Sequence, residues 1–427
     1  MSSLTPLAQR YIDRFDTAAR QLPGADNRSV SDLRRAGLEA FAALDFPHRK
    51  VEEWKFTNLT ALTKPTANEG RVAPAPAPAI PDQPFEARFE MVFVNGRFSA
   101  AESRLDGLPE GISVTSLADS LGNGTVLSFP SQEKRAFLAL NTAFMEDGLV
   151  LSVAEGVVLD DILVVTFRSE GDQETGRHLR NVITLAEGSS LTLLERHVGA
   201  GAYFSNPVTE VSLAADARLD HYKLQAESPE AFHLAFTDAE LAERADYRNF
   251  SLSIGAKLSR NELTTRILGR EAESHLNGAY LMRGSQHCDT TTLTEHRVPD
   301  TNSSQVYKGV LDDHAHGVFQ GKIHIFPDAQ HVAGDQLSKA LLLSDYAAVD
   351  CKPELEIYAD DVKCSHGATS GELDEQALFY LQSRGIPLAS ARKMLIEAFL
   401  ADVLETVGNE RVKVYFDGLS RHWLSEA

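Results

Sequence analysis

Leu179-Arg-Asn-Val-Ile-Thr-Leu185, Leu191-Thr-Leu-Leu-Glu-Arg-His-Val198, Val208-Thr-Glu-Val-Ser-Leu213, Arg218-Leu-Asp-His-Tyr-Lys-Leu-Gln225 and Tyr247-Arg-Asn-Phe-Ser-Leu-Ser-Ile254 follow one another as strand-like runs. Each is short and rich in residues that suit a pleated surface. Small or polar residues separate them, as in Glu187-Gly188-Ser189, Ala215-Asp216-Ala217 and Arg244-Ala245-Asp246. These three breaks are about 28 residues apart, and Gly255, Glu271 and Ser285 fall at roughly half that spacing. Such a period hints at a coiled repeat, in which each turn of chain buries its apolar face only against its neighbours. A β-sandwich or a series of hairpins would also supply many short strands. The length of the strand region, without a helix and with few internal prolines, favours a β-solenoid.

Outward from this stretch the pattern holds. Ile162–Arg168 lies before it, and Leu263–Leu268, His275–Met282, Thr290–Glu295, Lys322–Phe326 and Leu355–Tyr358 follow. From Leu149 to about Cys364 no long amphipathic helix is found. Further upstream, Met91-Val-Phe-Val-Asn-Gly-Arg-Phe98 predicts a strand and hairpin turn, and Glu133 to Met145 a short helix. At the N-terminus, Leu33, Leu38, Phe41 and Leu44 form an apolar helical face with Ser31 as a candidate N-cap, ending at Phe46-Pro47. Prolines 65, 74, 76, 78, 81 and 84 then crowd together, and the Ala-Pro repeat predicts an extended linker over 73–84. After Gly371 the chain turns helical again. Leu373–Ser383 is stopped by Arg384-Gly385-Ile386-Pro387, Ile396 to Val407 is amphipathic, and Arg411–Leu424 is the last element.

The chain has 427 residues, 41 Lys+Arg against 61 Asp+Glu, and a net charge of −20. An acidic chain is a poor phosphate binder, so nucleic acid is not an expected partner. No window offers the roughly 18 apolar residues of a membrane span, and charges occupy the N-terminus where a signal peptide needs its apolar core. Three cysteines argue against a disulfide framework, so a cytoplasmic protein with free thiols is expected. Phosphate-loop and dinucleotide-binding signatures are absent, as are GxSxG, HExxH and CxxC.

Two clusters could carry chemistry. In Leu355-Glu-Ile-Tyr-Ala-Asp-Asp-Val-Lys-Cys-Ser-His-Gly-Ala-Thr369, an extended Val362–His366 puts Cys364 and His366 on one face, about 6–7 Å apart. Such a pair can bracket a metal or share a cluster, and an imidazole beside a thiolate would soften the sulfur. Two ligands do not close a site, so the rest must come from Cys351, Asp360 or Asp361, or from a second chain. The alternative is a small buried cysteine and a satisfied turn histidine. The second cluster is Asp312-Asp313-His314-Ala315-His316, with His324 and His331 downstream. His314 and His316 could chelate from one strand face, as the site of a metal-dependent enzyme on a β-solenoid, or could simply face solvent. His287 and Cys288 are adjacent and therefore point to opposite faces, so Cys288 is expected in the core or a turn. Trp54 and Trp423 are expected as packing anchors.

The Leu355–Thr369 stretch, followed by Leu373-Asp-Glu-Gln-Ala-Leu-Phe-Tyr-Leu-Gln-Ser-Arg-Gly-Ile386, resembles the SufB/SufD family of iron–sulfur cluster assembly proteins. Gly321-Lys-Ile-His-Ile325, Ala329-Gln330 and Leu341-Leu-Leu-Ser-Asp345 fit as well. Phe46-Pro-His-Arg-Lys-Val-Glu-Glu-Trp-Lys-Phe56 resembles the SufD branch, and the additional cysteine motifs of the SufB branch are missing. The resemblance implies a mainly β fold, with a right-handed parallel β-helix core flanked by N-terminal and C-terminal α-helical segments. The chain then divides into an N-terminal helical region (1–72), the linker (73–84), the β-helix core (85–370) and a C-terminal helical region (371–427) that binds an ATPase.

The resemblance also implies a non-catalytic scaffold subunit of a SufBCD-type complex, paired with a SufB-like paralogue and an ABC-type SufC-like ATPase. A cysteine desulfurase system would supply sulfur, and isolated chains could form a homodimer. The nascent iron–sulfur cluster would be transient and shared with the partner, with no nucleotide bound by this chain. His366 is the residue the resemblance implicates in cluster assembly, and Cys364 shares its motif. For the ATPase contact the resemblance carries over a region only: Phe379, Tyr380, Leu381, Ser383, Arg384, Gly385 and Ile386, with Phe379 and Leu381 equally readable as core.

Overall fold

In the computed structural model, which describes residues 4–63, 85–122, 135–171 and 176–425, the breaks read from the sequence are left-handed turns. Gly188, Asp216 and Arg244 have φ of 65°, 56° and 55°. The same turn recurs at Gly156, Glu271, Asp300 and His331. The backbone N–H of each donates to a turn carbonyl one coil further on, from Gly156 to Glu187 at 2.8 Å through to His331 to Asp361 at 2.6 Å. A corner that exposes backbone donors is thereby satisfied by its neighbour, which suits a stacked repeat. The linker expected over 73–84 lies outside the described residues.

The chain begins with helices α1 (Pro6–Ala19), α2 (Arg28–Leu44) and a single turn, α3 (Thr60–Thr63). Strands β1 (Phe89–Val94), β2 (Arg97–Phe98) and β3 (Ile112–Ser116) precede helices α4 (Leu117–Gly122) and α5 (Ala136–Phe144). Strands β4 (Leu149–Val153), β5 (Val158–Glu170), β6 (Arg180–Leu185), β7 (Ser190–Ala200), β8 (Phe204–Ser205), β9 (Val208–Leu213) and β10 (Arg218–Ala226) follow. After them come β11 (Phe232–Leu241), β12 (Asp246–Ser253), β13 (Leu258–Ile267), β14 (Glu273–Met282) and β15 (His287–His296). The last strands are β16 (Asn302–Leu311), β17 (His316–Ile325), β18 (Val332–Leu342), β19 (Ala348–Ile357) and β20 (Val362–Gly371). Helices α6 (Glu375–Ser383), α7 (Leu388–Leu404) and α8 (Glu410–Ser425) close the chain.

Successive strands alternate between two sheets, which makes a β-solenoid of about eight turns. The first sheet runs β2-β1-β5-β7-β10-β12-β14-β16-β18-β20, and the second runs β3-β4-β6-β9-β11-β13-β15-β17-β19. Pairing is parallel except for β1 with β2 and β3 with β4. In-register partners Ser190, Arg218, Asp246, Glu273, Asn302, Ala333 and Lys363 lie 28, 28, 27, 29, 31 and 30 residues apart. The spacing read from the sequence is therefore the coil length, and the half-spacing is the step between sheets.

Between the sheets, the first coils hold an apolar core of Phe89, Met91, Phe93, Leu163, Leu193, Ile183 and their neighbours. The outer face of the first sheet is covered by α7 and α8, whose Ile396, Leu400, Val403 and Phe416 pack on Tyr222, Leu224, Phe250 and Leu252. The outer face of the second sheet is covered by the N-terminal helices and α5, through Tyr11, Phe41, Phe137, Phe204 and Phe236. Both tryptophans are anchors: Arg260 stacks over Trp54 at 4.1 Å and Arg283 over Trp423 at 4.0 Å.

Three local expectations change. The N-cap of α2 is Asn27, whose side chain accepts from the N–H groups of Ser29 and Val30, and Ser31 lies in the first turn. Helix α1, not read from the sequence, buries Leu7, Tyr11 and Phe15 at four-residue spacing. Strands β11, β16 and β18 were also unread. In β11 both faces are largely buried, so its sequence does not alternate.

Candidate functional site

Strand β20 ends the first sheet and β19 ends the second, so the solenoid finishes in two lips. Among the described residues no helix covers them: every residue of both is at least partly exposed. Side chains alternate along each strand. Cys364 belongs to an apolar cluster with Ile323, Val332, Leu355 and Val362, so it faces the crevice between the sheets, and His366 shares its face. The extended pairing expected of Val362–His366 is present: Cys364 lies beside Gly334 of β18 and His366 beside Gln336.

Cys351 faces the same crevice from the other lip, its Sγ 3.8 Å from Oγ of Ser338 on β18. Asp361 does not join it. Asp361 lies at the corner, 3.3 Å from His331, and Ser365 on the outward face donates to Asp335 at 2.6 Å. Among the described residues, the one group of three ligand-type side chains within reach of a single ion is Asp246, Glu273 and His275, in the middle of the first sheet. Asp246 is already held by Arg248 at 2.8 Å, and His275 by Ser304 at 2.8 Å. The open end thus presents Cys364, His366 and Cys351 without a closed ligand set, as a site completed by another molecule would.

The thiol does not arrive activated. Burial pushes the Cys364 thiol above its ordinary value, the Gly334 N–H works against this, and Asp335 adds to it. Burial likewise raises Cys351. The softened thiolate expected beside an imidazole is therefore not what the free chain holds near neutral pH. A cation arriving at the site has to displace the proton. Cys288 is in the core as expected, its thiol pushed up to about 12 by burial, while His287 points the other way and meets Thr57 at 2.9 Å.

The second cluster is split. His314 sits in the turn before β17 and stacks on Tyr346, with centroids 4.8 Å apart, while His316 opens β17 and meets Asp350 at 2.8 Å. They do not share one strand face, because His314 still lies in the turn that Asp313 (φ 52°) makes, and the strand begins only at His316. His324 stacks on Phe326, and His331 bridges Asp300 and Asp361.

Helix α6 buries none of its residues. Phe379 is 74% exposed and Tyr380 57%, so Phe379 is not core. Leu381 and Ile386 are half-buried, Arg384 stacks over Tyr380 at 5.2 Å, and Gly385 (φ 86°) provides the turn into α7. An exposed aromatic pair on a helix that buries none of its residues is a surface with unused apolar area.

The open end also contains residues the sequence did not single out. Gln336 and Ser338 line the crevice beside His366 and Cys351. Subtracting one coil length of 30 residues from His366 leads to the first of them.

Comparison with known proteins accounts for nearly the whole chain. The family model described as SUF system FeS cluster assembly, SufBD core domain, matches residues 167–399, and the SufBD protein N-terminal region model matches residues 5–165. The chain is 32% identical to the iron–sulfur cluster assembly protein SufD of Escherichia coli, over 95% of this chain and 94% of that one. It is 30% identical to an iron–sulfur cluster assembly SufBD family protein of Synechocystis, over 93% of each. It is 31% identical to the chloroplastic protein ABCI7 of Arabidopsis thaliana, over 89% of this chain and 83% of that one.

Proposed function

The chain belongs to the SufBD family of iron–sulfur cluster assembly proteins, and from that premise we propose that it is a non-catalytic scaffold subunit of a SufBCD-type complex. In this reading a cluster is built at the open end of the solenoid, on His366 and Cys364 together with ligands from a SufB-like partner, and is then passed on. The observation that carries it is the incomplete, same-facing set on an uncovered last coil. A chain holding all its own ligands would have no need of a bare sheet edge, which otherwise invites unwanted pairing.

The reading divides the chain into the helical region 1–72, the linker 73–84, the solenoid 85–370 and the helical region 371–427. The last docks an ABC-type ATPase through Phe379 to Ile386. ATP hydrolysis in that partner would strain α6 and α7 and so rearrange the last coil, since α7 also packs on the first sheet. A cysteine desulfurase system supplies sulfur, and the work takes place in the cytoplasm.

The test is anaerobic co-expression with SufB-like and SufC-like subunits, reading complex mass and iron–sulfur content together. A ternary complex that carries iron and sulfide is expected, and His366→Ala should leave its mass unchanged while lowering its cluster content. No complex, or full cluster content in His366→Ala, would overturn the reading.

A further inference from the structure

Gln336 stands one strand inward from His366, as its in-register partner in the parallel pair β18–β20. Their side chains share a face and are about 4.8 Å apart at the backbone. Gln336 is only 2% exposed, and its amide crosses the crevice to lie on Gly321 of β17, where a Cβ would overlap it.

Its orientation is set from behind. The Nε2 of Gln336 donates to Oε1 of Gln305 at 3.1 Å, and the same oxygen accepts from Oγ1 of Thr292 at 2.7 Å. Nε2 of Gln305 donates in turn to Oγ1 of Thr294 at 3.1 Å. Gln336 thus lies with its NH2 inward, on the oxygen that also receives Thr292. The Oε1 of Gln336 is then left over: it is buried and has no hydrogen-bond partner among the described residues. Buried acceptors are seldom left unmet. On the next strand, in register with Gln336 and on the same face, stands the exposed imidazole of His366, which has a hydrogen to donate.

We propose that Gln336 is the positioning residue of His366. Its Oε1 accepts the hydrogen of one ring nitrogen, which holds the ring in one tautomer and leaves the other nitrogen bare at the open end to bind a metal cation. Gly321 belongs to the device because only a residue without a side chain leaves room for the amide. The role rests on the reading of His366 as a cluster ligand, whereas the hydrogen bond itself does not.

The full chain, labelled with 15N-histidine, tests the bond. The His366 ring N–H is assigned by its loss in His366→Ala. An exposed ring N–H exchanges too fast to be seen, so an observable one in the wild type supports the proposal and an absent one overturns it without any variant. Gln336→Leu and Gly321→Ala should each remove the signal. Gln336→Glu, which keeps an acceptor, should restore it; loss in both Gln336→Leu and Gln336→Glu overturns the proposal. In the co-expressed complex, Gln336→Leu should lower affinity for iron about tenfold, with Gln336→Glu closer to wild type. If His366→Ala empties the complex but Gln336→Leu does not, the positioning role fails and the cluster reading stands. If His366→Ala leaves the complex full, the cluster reading fails whatever the spectrum shows.

Discussion

The first and last coils of the solenoid are built on the same backbone and differ in what fills them. One inward column makes the difference plain: Leu163, Leu193, His221, Asn249, Leu276, Gln305, Gln336 and His366 are register partners across eight strands. It starts in fully buried leucine and ends in an exposed imidazole. The first coils also have helices on both outer faces, whereas among the described residues the last has none. In a stacked repeat each coil depends mainly on its neighbours. The apolar coils therefore hold the fold, and the last coil is free to give up packing for chemistry.

The middle of the column is a transition zone with its own requirements. Glu195 lies 3.3 Å from His197 and 3.2 Å from His221, and Glu227 lies 2.6 Å from His233, all within the interior. Burial pushes the nearby Lys223 down to about 8. Buried polar groups of this kind are costly to leave without a partner.

The sharpest way to break the contrast is at Leu193, which is fully buried in the first core. Leu193→Ala should cost about 2–5 kcal/mol in urea unfolding, from lost transfer energy and the cavity left behind. A cost under about 1 kcal/mol would mean that the early coils are not what holds the molecule together.

Acid should find the polar coils next. His296 faces the interior, where Thr301 and Ser303 contact it at 2.7 Å and 2.9 Å, and burial pushes it down to about 4 from 6.5. It is neutral in the fold and protonates first in the unfolded chain. Stability is thus fully present above about pH 6.5 and lost as pH falls toward about 4, by up to about 3 kcal/mol from this group. Burial lowers His178 and His287 as well, and they add in the same direction. Unfolding midpoints measured from pH 7 to pH 4.5 should fall, and the fall should be shallower in His296→Gln. A flat profile would remove the distinction between the two interiors.

What the sequence revealed follows the same division. Val208–Leu213 is β9 to the residue: Val208, Val211 and Leu213 are buried apolar positions in a short β-prone run between Pro207 and Ala214. Strands β16 and β18 are hard to read because their inward positions are Ser303, Gln305, Gln336 and Ser338, buried polar residues whose partners His296, Thr292, Gln305 and Cys351 come from other strands. The repeat is weakly marked in the sequence for a related reason. Its left-handed turns use Arg244, Glu271 and His331, residue types that do not announce a positive φ as glycine does. At the site, period two was enough to bring Cys364 and His366 together. Gln336 and Cys351 required the coil length and the fold of one sheet over the other, which no local pattern contains.

A smaller effect should come from α6. Phe379→Ser removes an exposed ring that packs against little, so unfolding stability should change by under about 0.5 kcal/mol. Capture of the SufC-like subunit from a defined mixture should nevertheless weaken. A large loss of stability would return Phe379 to the core, and undiminished capture would move the ATPase contact elsewhere.

The smallest effect on stability should come from the last coil itself. Cys364→Ala and His366→Ala each alter a side chain with one strand on one side and nothing on the other. Each should shift unfolding by no more than about 0.5 kcal/mol, even where cluster content collapses. Hydrogen exchange provides the local counterpart. An edge strand leaves alternate amides without a ladder partner, so the amides of β20 should exchange fastest, those of β16 and β18 more slowly, and those of β7 and β10 only through global unfolding. A shift above about 1.5 kcal/mol in His366→Ala, or exchange in β20 as slow as in β10, would show that the last coil shares the stability of the core. The bare edge could not then rearrange around a partner without unfolding the protein, and the functional half of the comparison would fall while the structural half remained.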